Sequence, residues 1–193
     1  FKDSLQGNLS KQQDVYILDI DPEIGKGQIR YIDLQPGLQV FDFDITLVED
    51  LEIPMDCIAT ETLQFLYCLE GDCYHQFEDS DEVRSIEEFQ TAVAHSNLGL
   101  QSRLLLKKGQ RVVLNSIYVN KKEYFDKFSE DSNPFSKKFQ SLLHHIGSKP
   151  KHFHSGRHSL KIAEQLKLLL NIEHTNEISE FLSQKGRYYL ILA

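Results

Sequence analysis

The histidines are the side chains whose spacing bears most directly on metal chemistry. A His-x-His pair on a β-strand directs both imidazoles to one side, where a Glu and a further His would complete a metal site. The strand-rich part of the sequence holds only His75 and His95, each without such a partner. Glu78 follows His75 by three residues and is expected on the opposite face. The sequence therefore disfavours a metal-dependent barrel enzyme, and we predict no metal and no cofactor.

One His-x-His does occur, formed by His152 and His154 and followed by His158. Three histidines within seven residues could hold zinc or nickel. The segment 147–156 is flanked by Gly and Pro, however, and lacks an acid or thiol nearby. We interpret it as a linker with solvated histidines. Metal binding by this cluster is an alternative that the sequence leaves open.

No other catalytic set emerges from the sequence. Asp42 and Asp44 share one face of a strand, which we expect to be the solvent face. Gly25-Lys26-Gly27 has no helix after it and indicates a turn, and GxSxG and HExxH motifs are absent. We predict that the protein is not an enzyme.

A binding cavity is the function that the aromatic residues favour. Pockets for small molecules are mostly apolar and contain few polar groups. The candidate ligand-binding residues are Phe43, Phe65, Tyr67, Tyr74, His75 and Phe77. The alternative is that these aromatic rings simply fill the core. A register shift of one residue would also exchange Tyr74 and His75.

The composition indicates a folded protein that does not itself contact nucleic acid. The 193 residues are 40% hydrophobic and carry a net charge of −8. An acidic chain is a poor partner for the phosphates of DNA or RNA. No transmembrane or signal-peptide pattern is present, and Cys57, Cys68 and Cys73 contain no CxxC. We predict buried free thiols, no membrane partner and a cytoplasmic location.

Short strands separated by turn residues predict an all-β barrel or jelly roll over residues 1–120. Two hairpins are expected, one around Gly71 within Leu63–Phe77 and one around residues 107–110. Residues 38–48 alternate most clearly between apolar and polar side chains. Residues 86–94 fit either a helix with a capping box or a strand, and we favour the strand.

The pattern changes after Asn120, and residues 121–193 are predicted to be a helical region. Helices are expected over 121–128, from 133 through 145, over Ser159–Asn171 and in the last fifteen or so residues. The last two should form an αα-hairpin. The sequence stops at Ala193 without a helix-ending signal, so we expect the protein to have been cut there.

Four stretches together resemble a known family. They are Leu34–Gln39, Leu63–Gly71, Lys107–Val119 and Ser159–Leu166. They resemble the N-terminal regulatory domain of AraC-family transcriptional regulators, especially the branch of the pyochelin regulator. The resemblance implies a cupin-like double-stranded β-helix barrel that senses a small-molecule effector, followed by dimerisation helices. DNA would be bound only through a separate C-terminal domain that this sequence does not contain.

The expected homodimer would form through the apolar stripe of the last two helices. The candidate interface residues are Ile162, Leu166, Leu169 and Phe181. Two other functions are alternatives. A small cupin enzyme acting on a small acid or sugar would require a bound metal. A cyclic-nucleotide sensor would require a Gly-Glu and Arg phosphate cassette, which we do not find in the sequence.

Overall fold

The computed structural model describes residues 7–12, 15–55, 62–96, 101–120, 122–124, 141, 144–146, 148–170 and 178–192. Within them lie twelve β-strands and two long helices, α1 (Leu160–Leu170) and α2 (Ile178–Leu192). The strands are β1 (Asn8–Gln12), β2 (Val15–Asp19), β3 (Gly25–Gln35), β4 (Leu38–Leu47), β5 (Leu51–Pro54), β6 (Thr62–Glu70), β7 (Cys73–Phe77), β8 (Val83–Ile86), β9 (Gln90–Ser96), β10 (Ser102–Leu106), β11 (Arg111–Asn120) and β12 (Lys151–His158).

The strands form two antiparallel sheets that enclose a core. The large sheet has the order β1-β2-β3-β4-β11-β6-β9-β12, and the small sheet has the order β5-β10-β7-β8. A helical segment follows the strands. The predicted fold class, a mainly β, cupin-like jelly-roll barrel with a C-terminal αα-hairpin, is confirmed.

The central strands of the large sheet are buried on both faces, which explains why successive residues of β6 are apolar whichever face they point to. Its inner face meets the small sheet in one core cluster, which includes Phe43, Ile45, Leu66 and Leu114. Its outer face packs against the helices in a second cluster, which includes Val40, Leu69, Ile117, Leu166 and Tyr188. Alternation along β4 and β11 therefore sends successive side chains into two different cores.

Both predicted hairpins turn where expected, but neither is a paired hairpin. Gly71 and Gly109 adopt the positive φ that such turns require. The arms then enter different sheets, because β6 and β11 join the large sheet while β7 and β10 join the small one. These turns are the points at which the chain crosses from one sheet to the other, and the hairpin prediction was wrong in this respect.

The segment predicted to be a linker is a strand. β12 pairs antiparallel with β9, with His152 opposite His95 and Phe153 opposite Ala94. Pairing with the sheet supplies the backbone hydrogen bonds that composition could not predict. The large sheet thus takes its last strand from beyond the expected boundary at residue 120. The strand favoured within residues 86–94 is present as β9.

α1 and α2 confirm the two strongest helix predictions. Of the predicted helices at 121–128 and 133–145, only residues 122–124, 141, 144 and 145 are described, and these are helical, as is residue 146. Among the described residues, no helix combines the length and the apolar character that crossing a bilayer requires.

Candidate functional site

A cavity of about 630 Å³ opens on the inner face of the large sheet, at the end formed by β1–β4. This volume lies in the range typical of pockets for small molecules. The lining is mostly apolar and aromatic: Leu9, Lys11, Tyr16, Leu18, Ile29, Tyr31, Asp33, Gln35, Pro36 and Phe41. We call it the β1–β4 pocket.

An aromatic row forms the floor of the β1–β4 pocket. Strand register places Tyr16 opposite Tyr31 and Tyr31 opposite Phe41. The ring centroids are 5.9 Å and 4.9 Å apart, and Tyr118 on β11 continues the row 5.2 Å beyond Phe41. Since adjacent strands lie about 4.8 Å apart, the first three rings cover roughly 10 Å. The row presents apolar ring surface to anything that enters.

Polar groups stand at the edges of this row. Lys11 Nζ lies 4.8 Å from the centroid of the Tyr16 ring. Burial and the nearby Asp33 carboxylate raise the pKa of Tyr31, so its hydroxyl stays protonated. Gln35 Nε2 is buried without a hydrogen-bond partner in the described part of the chain. An unpaired buried donor is costly, and a ligand acceptor would satisfy it.

The six predicted ligand-binding residues do not line one cavity. Phe43 is in the inner core, whereas Phe65 and Tyr67 point to the helices on the outer face. The Tyr67 hydroxyl donates to the Ser159 carbonyl at 2.7 Å. Tyr74 is half-buried on β7. The sequence analysis missed Tyr16 and Tyr31. They lie on the same face of the sheet as Phe41, which follows only from the register of the neighbouring strands.

His75 and Phe77 are brought together, inside the barrel. Their ring centroids are 4.7 Å apart in an edge-to-face arrangement, and Phe153 of β12 stacks on His75 at 5.0 Å. Both ring nitrogens of His75 are buried without a hydrogen-bond partner among the described residues. Burial and the nearby Arg84 lower the pKa of His75 to about 4, so the imidazole is neutral at pH 7.

A second polar group lies in the same interior. Gln64 Nε2 is 3.0 Å from both Ser116 Oγ and Tyr118 Oη. The Tyr118 hydroxyl in turn donates to Met55 Sδ at 3.4 Å. Tyr118 thereby connects the aromatic row to a buried hydrogen-bond network.

Asp42 belongs to a buried polar cluster behind the pocket, so the expectation of a solvent face was wrong for this residue. Its carboxylate accepts hydrogen bonds from Asn115 Nδ2 at 2.6 Å and from the Tyr188 hydroxyl of α2. Arg30 Nη2 lies 3.5 Å from Asp42 Oδ2, and Arg30 Nη1 donates to the Leu169 carbonyl of α1 at 3.4 Å. We call these residues the Asp42 cluster. Helices cover this face, which a period-2 pattern alone does not reveal.

The predicted dimer residues lie mostly within the chain's own core. Leu166 and Leu169 are buried against the outer face of the large sheet, and Ile162 packs against the same cluster. Phe181 is half-buried and has Lys185 Nζ at 4.4 Å from its ring centroid. Three of the four predicted interface residues, Ile162, Leu166 and Leu169 of α1, therefore pack against the barrel of the same chain.

The histidines of β12 do not form a metal site with other side chains in the described part of the chain. His152 and His154 stack with centroids 6.4 Å apart, whereas His158 Nε2 lies 3.8 Å from Glu87 Oε2. Partial burial and the nearby Lys149 lower the pKa of His152. Within the described ranges, no three His, Cys, Asp or Glu side chains are placed to hold a metal ion. Cys68 and Cys73 are buried free thiols, as predicted, and Cys57 lies outside those ranges.

The fold, with a pocket on its inner face and helices on its outer face, defines a cupin-like barrel protein. The family described as the regulatory protein PchR N-terminal domain matches residues 26–171, and the chain belongs to this family. The resemblance inferred from the sequence motifs is confirmed at this level. No curated protein sequence matches the chain.

Solved structures with a similar fold have low sequence identity. The pirin YhhW of Escherichia coli, solved with nickel(II), is 10% identical with a TM-score of 0.41, over 81% of this chain and 56% of pirin. The chain thus spans little more than half of that relative. KdgF of Halomonas sp. is 13% identical, with a TM-score of 0.37 and coverage of 56% and 90%. A Cupin_2 domain of an XRE-family transcriptional regulator from Enterobacter cloacae is 11% identical, with a TM-score of 0.35 and coverage of 55% and 97%.

Proposed function

We propose that this chain is the effector-sensing and dimerisation part of an AraC-type transcription regulator of the cytoplasm. The observation that carries the proposal is the family match over residues 26–171. In this role the chain is not an enzyme. It binds a small molecule, and this binding changes the arrangement of a separate DNA-binding domain.

The effector site in this proposal is the β1–β4 pocket and not the barrel interior predicted from sequence. The pocket combines an aromatic floor with a cation, a carboxylate and an unpaired amide donor. The interior around His75 is filled by the rings of Phe77 and Phe153. A sensor needs a difference in affinity between two states, and a tenfold difference corresponds to only about 1.4 kcal/mol.

The dimer surface in this proposal is the exposed side of α2. Leu182 and Leu190 are 61% and 63% exposed, and they are eight residues apart with Gly186 between them. Residues spaced by four share one helix face, so these three form a line along α2. Among the described residues, no atom lies within 4 Å of a Cβ built at Gly186, which leaves room for close approach of a second helix.

DNA contact is assigned to a separate domain because this chain carries a net charge of −8. Two helix-turn-helix units with a basic face, encoded directly downstream of Ala193, are the expected complement. Reading that coding sequence tests this part of the proposal, and a different kind of domain there would refute it.

The pocket is tested by fluorescence titration with 1-anilinonaphthalene-8-sulfonate (ANS), an anionic aromatic probe. Wild type should bind ANS at one saturable site. Tyr31→Ala and Phe41→Ala should weaken binding about tenfold, because each removes part of the aromatic floor. Tyr74→Ala is the matched control, since Tyr74 is also half-buried but lies on the small sheet. Unchanged ANS affinity in both pocket variants would exclude the β1–β4 pocket as the site.

A further inference from the structure

Two strands carry the β1–β4 pocket on one face and the Asp42 cluster on the other. On β3, Tyr31 lines the pocket and its neighbour Arg30 reaches into the cluster. On β4, Phe41 lines the pocket and its neighbour Asp42 is the centre of the cluster. Adjacent residues of a strand point to opposite faces, so one backbone displacement moves both members of each pair.

The Asp42 cluster ties this backbone to both helices. The Tyr188 hydroxyl bonds Asp42 from α2, and the Leu169 carbonyl of α1 accepts from Arg30. A third connection joins the pocket to α2 directly. Gln35 lines the pocket, and its Oε1 accepts a hydrogen bond from the Tyr189 hydroxyl of α2 at 2.7 Å. Tyr188 and Tyr189 are consecutive residues that bond to two neighbouring pocket-lining strands, Tyr188 to the middle of β4 at Asp42 and Tyr189 to the end of β3 at Gln35.

We propose that the Asp42 cluster and the Gln35–Tyr189 bond form the coupling device through which occupancy of the β1–β4 pocket changes the docking of α2. The inference rests on the function proposed above and assigns the route by which that function is carried out. A ligand that shifts β3 or β4, or that engages the Gln35 amide, changes the geometry on which the two tyrosines depend.

Burial makes this device sensitive to small displacements. Arg30 is 2% exposed, Asp42 6% and Tyr188 0%. A buried carboxylate that loses a donor has no water to replace it, so the cluster favours fully bonded or fully separated arrangements over intermediate ones. Burial and Asp42 raise the pKa of Tyr188 well above its usual value, which keeps the hydroxyl a donor.

The coupling is tested by hydrogen–deuterium exchange of the α2 amides in a double-mutant cycle. The variants are Tyr31→Ala in the pocket, Tyr188→Phe in the cluster and the two combined. Tyr188→Phe should speed exchange in α2 about tenfold, because local opening no longer breaks the bond to Asp42. Tyr31→Ala, on the face of β3 opposite the helices, should speed it severalfold and should add little in the Tyr188→Phe background.

Tyr74→Ala is the matched control and should leave exchange in α2 at the wild-type rate. Phe41→Leu replaces Tyr31→Ala if circular dichroism shows that the latter is not folded. Wild-type exchange of α2 in the pocket variant, or effects of the two substitutions that multiply independently, would overturn the coupling. Failure of the pocket proposal would be seen in a different experiment. It would appear as unchanged ANS affinity in the pocket variants, whereas the exchange cycle is measured without any ligand.

Discussion

His75 is a histidine held in its neutral form by its surroundings. Its side chain is fully buried between the rings of Phe77 and Phe153, and the nearby Arg84 adds a positive charge. Sequence reasoning placed His75 among the pocket residues, but it could not choose between His75 and Tyr74 for the inner face. Pairing of β7 with β10 settles this choice, since His75 lies opposite the fully buried Leu104.

The lowered pKa of His75 predicts a loss of stability in mild acid. The pKa rises from about 4 when folded to 6.5 when unfolded, so the unfolded chain binds a proton that the folded chain excludes. The free energy of unfolding should be intact above pH 6.5 and should fall by up to about 3 kcal/mol between pH 6.5 and 4. Urea unfolding at a series of pH values measures it.

His75→Phe should remove this part of the pH dependence, whereas His158→Gln, at an exposed position, should retain it. A wild-type stability profile that is the same as that of His75→Phe over this pH range would refute the assigned cause.

At the scale of elements, the turns at Gly71 and Gly109 make the barrel by passing the chain from one sheet to the other. Both glycines have similar positive φ values, 76° and 79°. Their surroundings differ. A Cβ at Gly71 would lie 2.4 Å from the Arg111 carbonyl oxygen, whereas a Cβ at Gly109 would meet no atom of the described residues within 4 Å. The first turn is packed against β11, and the second is open.

This pair predicts different costs for the same substitution. Gly109→Ala should lower the free energy of unfolding by about 1–2 kcal/mol, the backbone cost of a left-handed conformation. Gly71→Ala should cost clearly more, because the carbonyl of a core strand must move as well. Thermal and urea unfolding of both variants measures the difference. Equal costs would mean that the Gly71 turn relaxes without displacing β11.

At the scale of the whole molecule, the helices have two sides with different partners. Leu166, Leu169 and Tyr188 are buried on the barrel, so we expect a charge at Leu166 to destabilise the fold and not to report on a dimer. The proposed dimer uses the exposed line of Leu182, Gly186 and Leu190 on α2.

Leu190→Glu should therefore weaken self-association without changing the fold. A carboxylate within an apolar helix contact loses its hydration, and the dissociation constant should rise at least about tenfold. Analytical ultracentrifugation over a concentration series measures it. Val48→Glu is the control, because Val48 is 56% exposed on the barrel. A variant that associates as tightly as wild type would place the interface elsewhere.

The sequence by itself determined which segments are strands or helices wherever periodicity was long. Strands β4 and β6 and helices α1 and α2 were predicted with the correct type, because side-chain alternation is a local property. The motifs also led to the correct family. Turn positions followed from glycine, since few other residues adopt a positive φ.

Tertiary structure alone decided partners and faces. Hydrogen bonds to strands distant in sequence decide which sheet each arm of a turn joins. They also explain why the Gly- and Pro-flanked segment at His152 is a strand, β12, and not a linker. Asp42 reads as a solvent residue until α2 covers it. The pocket exists because strand register aligns Tyr16, Tyr31 and Phe41 from three separate strands. Register is set by the pairing of two strands, so the sequence of one strand alone does not reveal it.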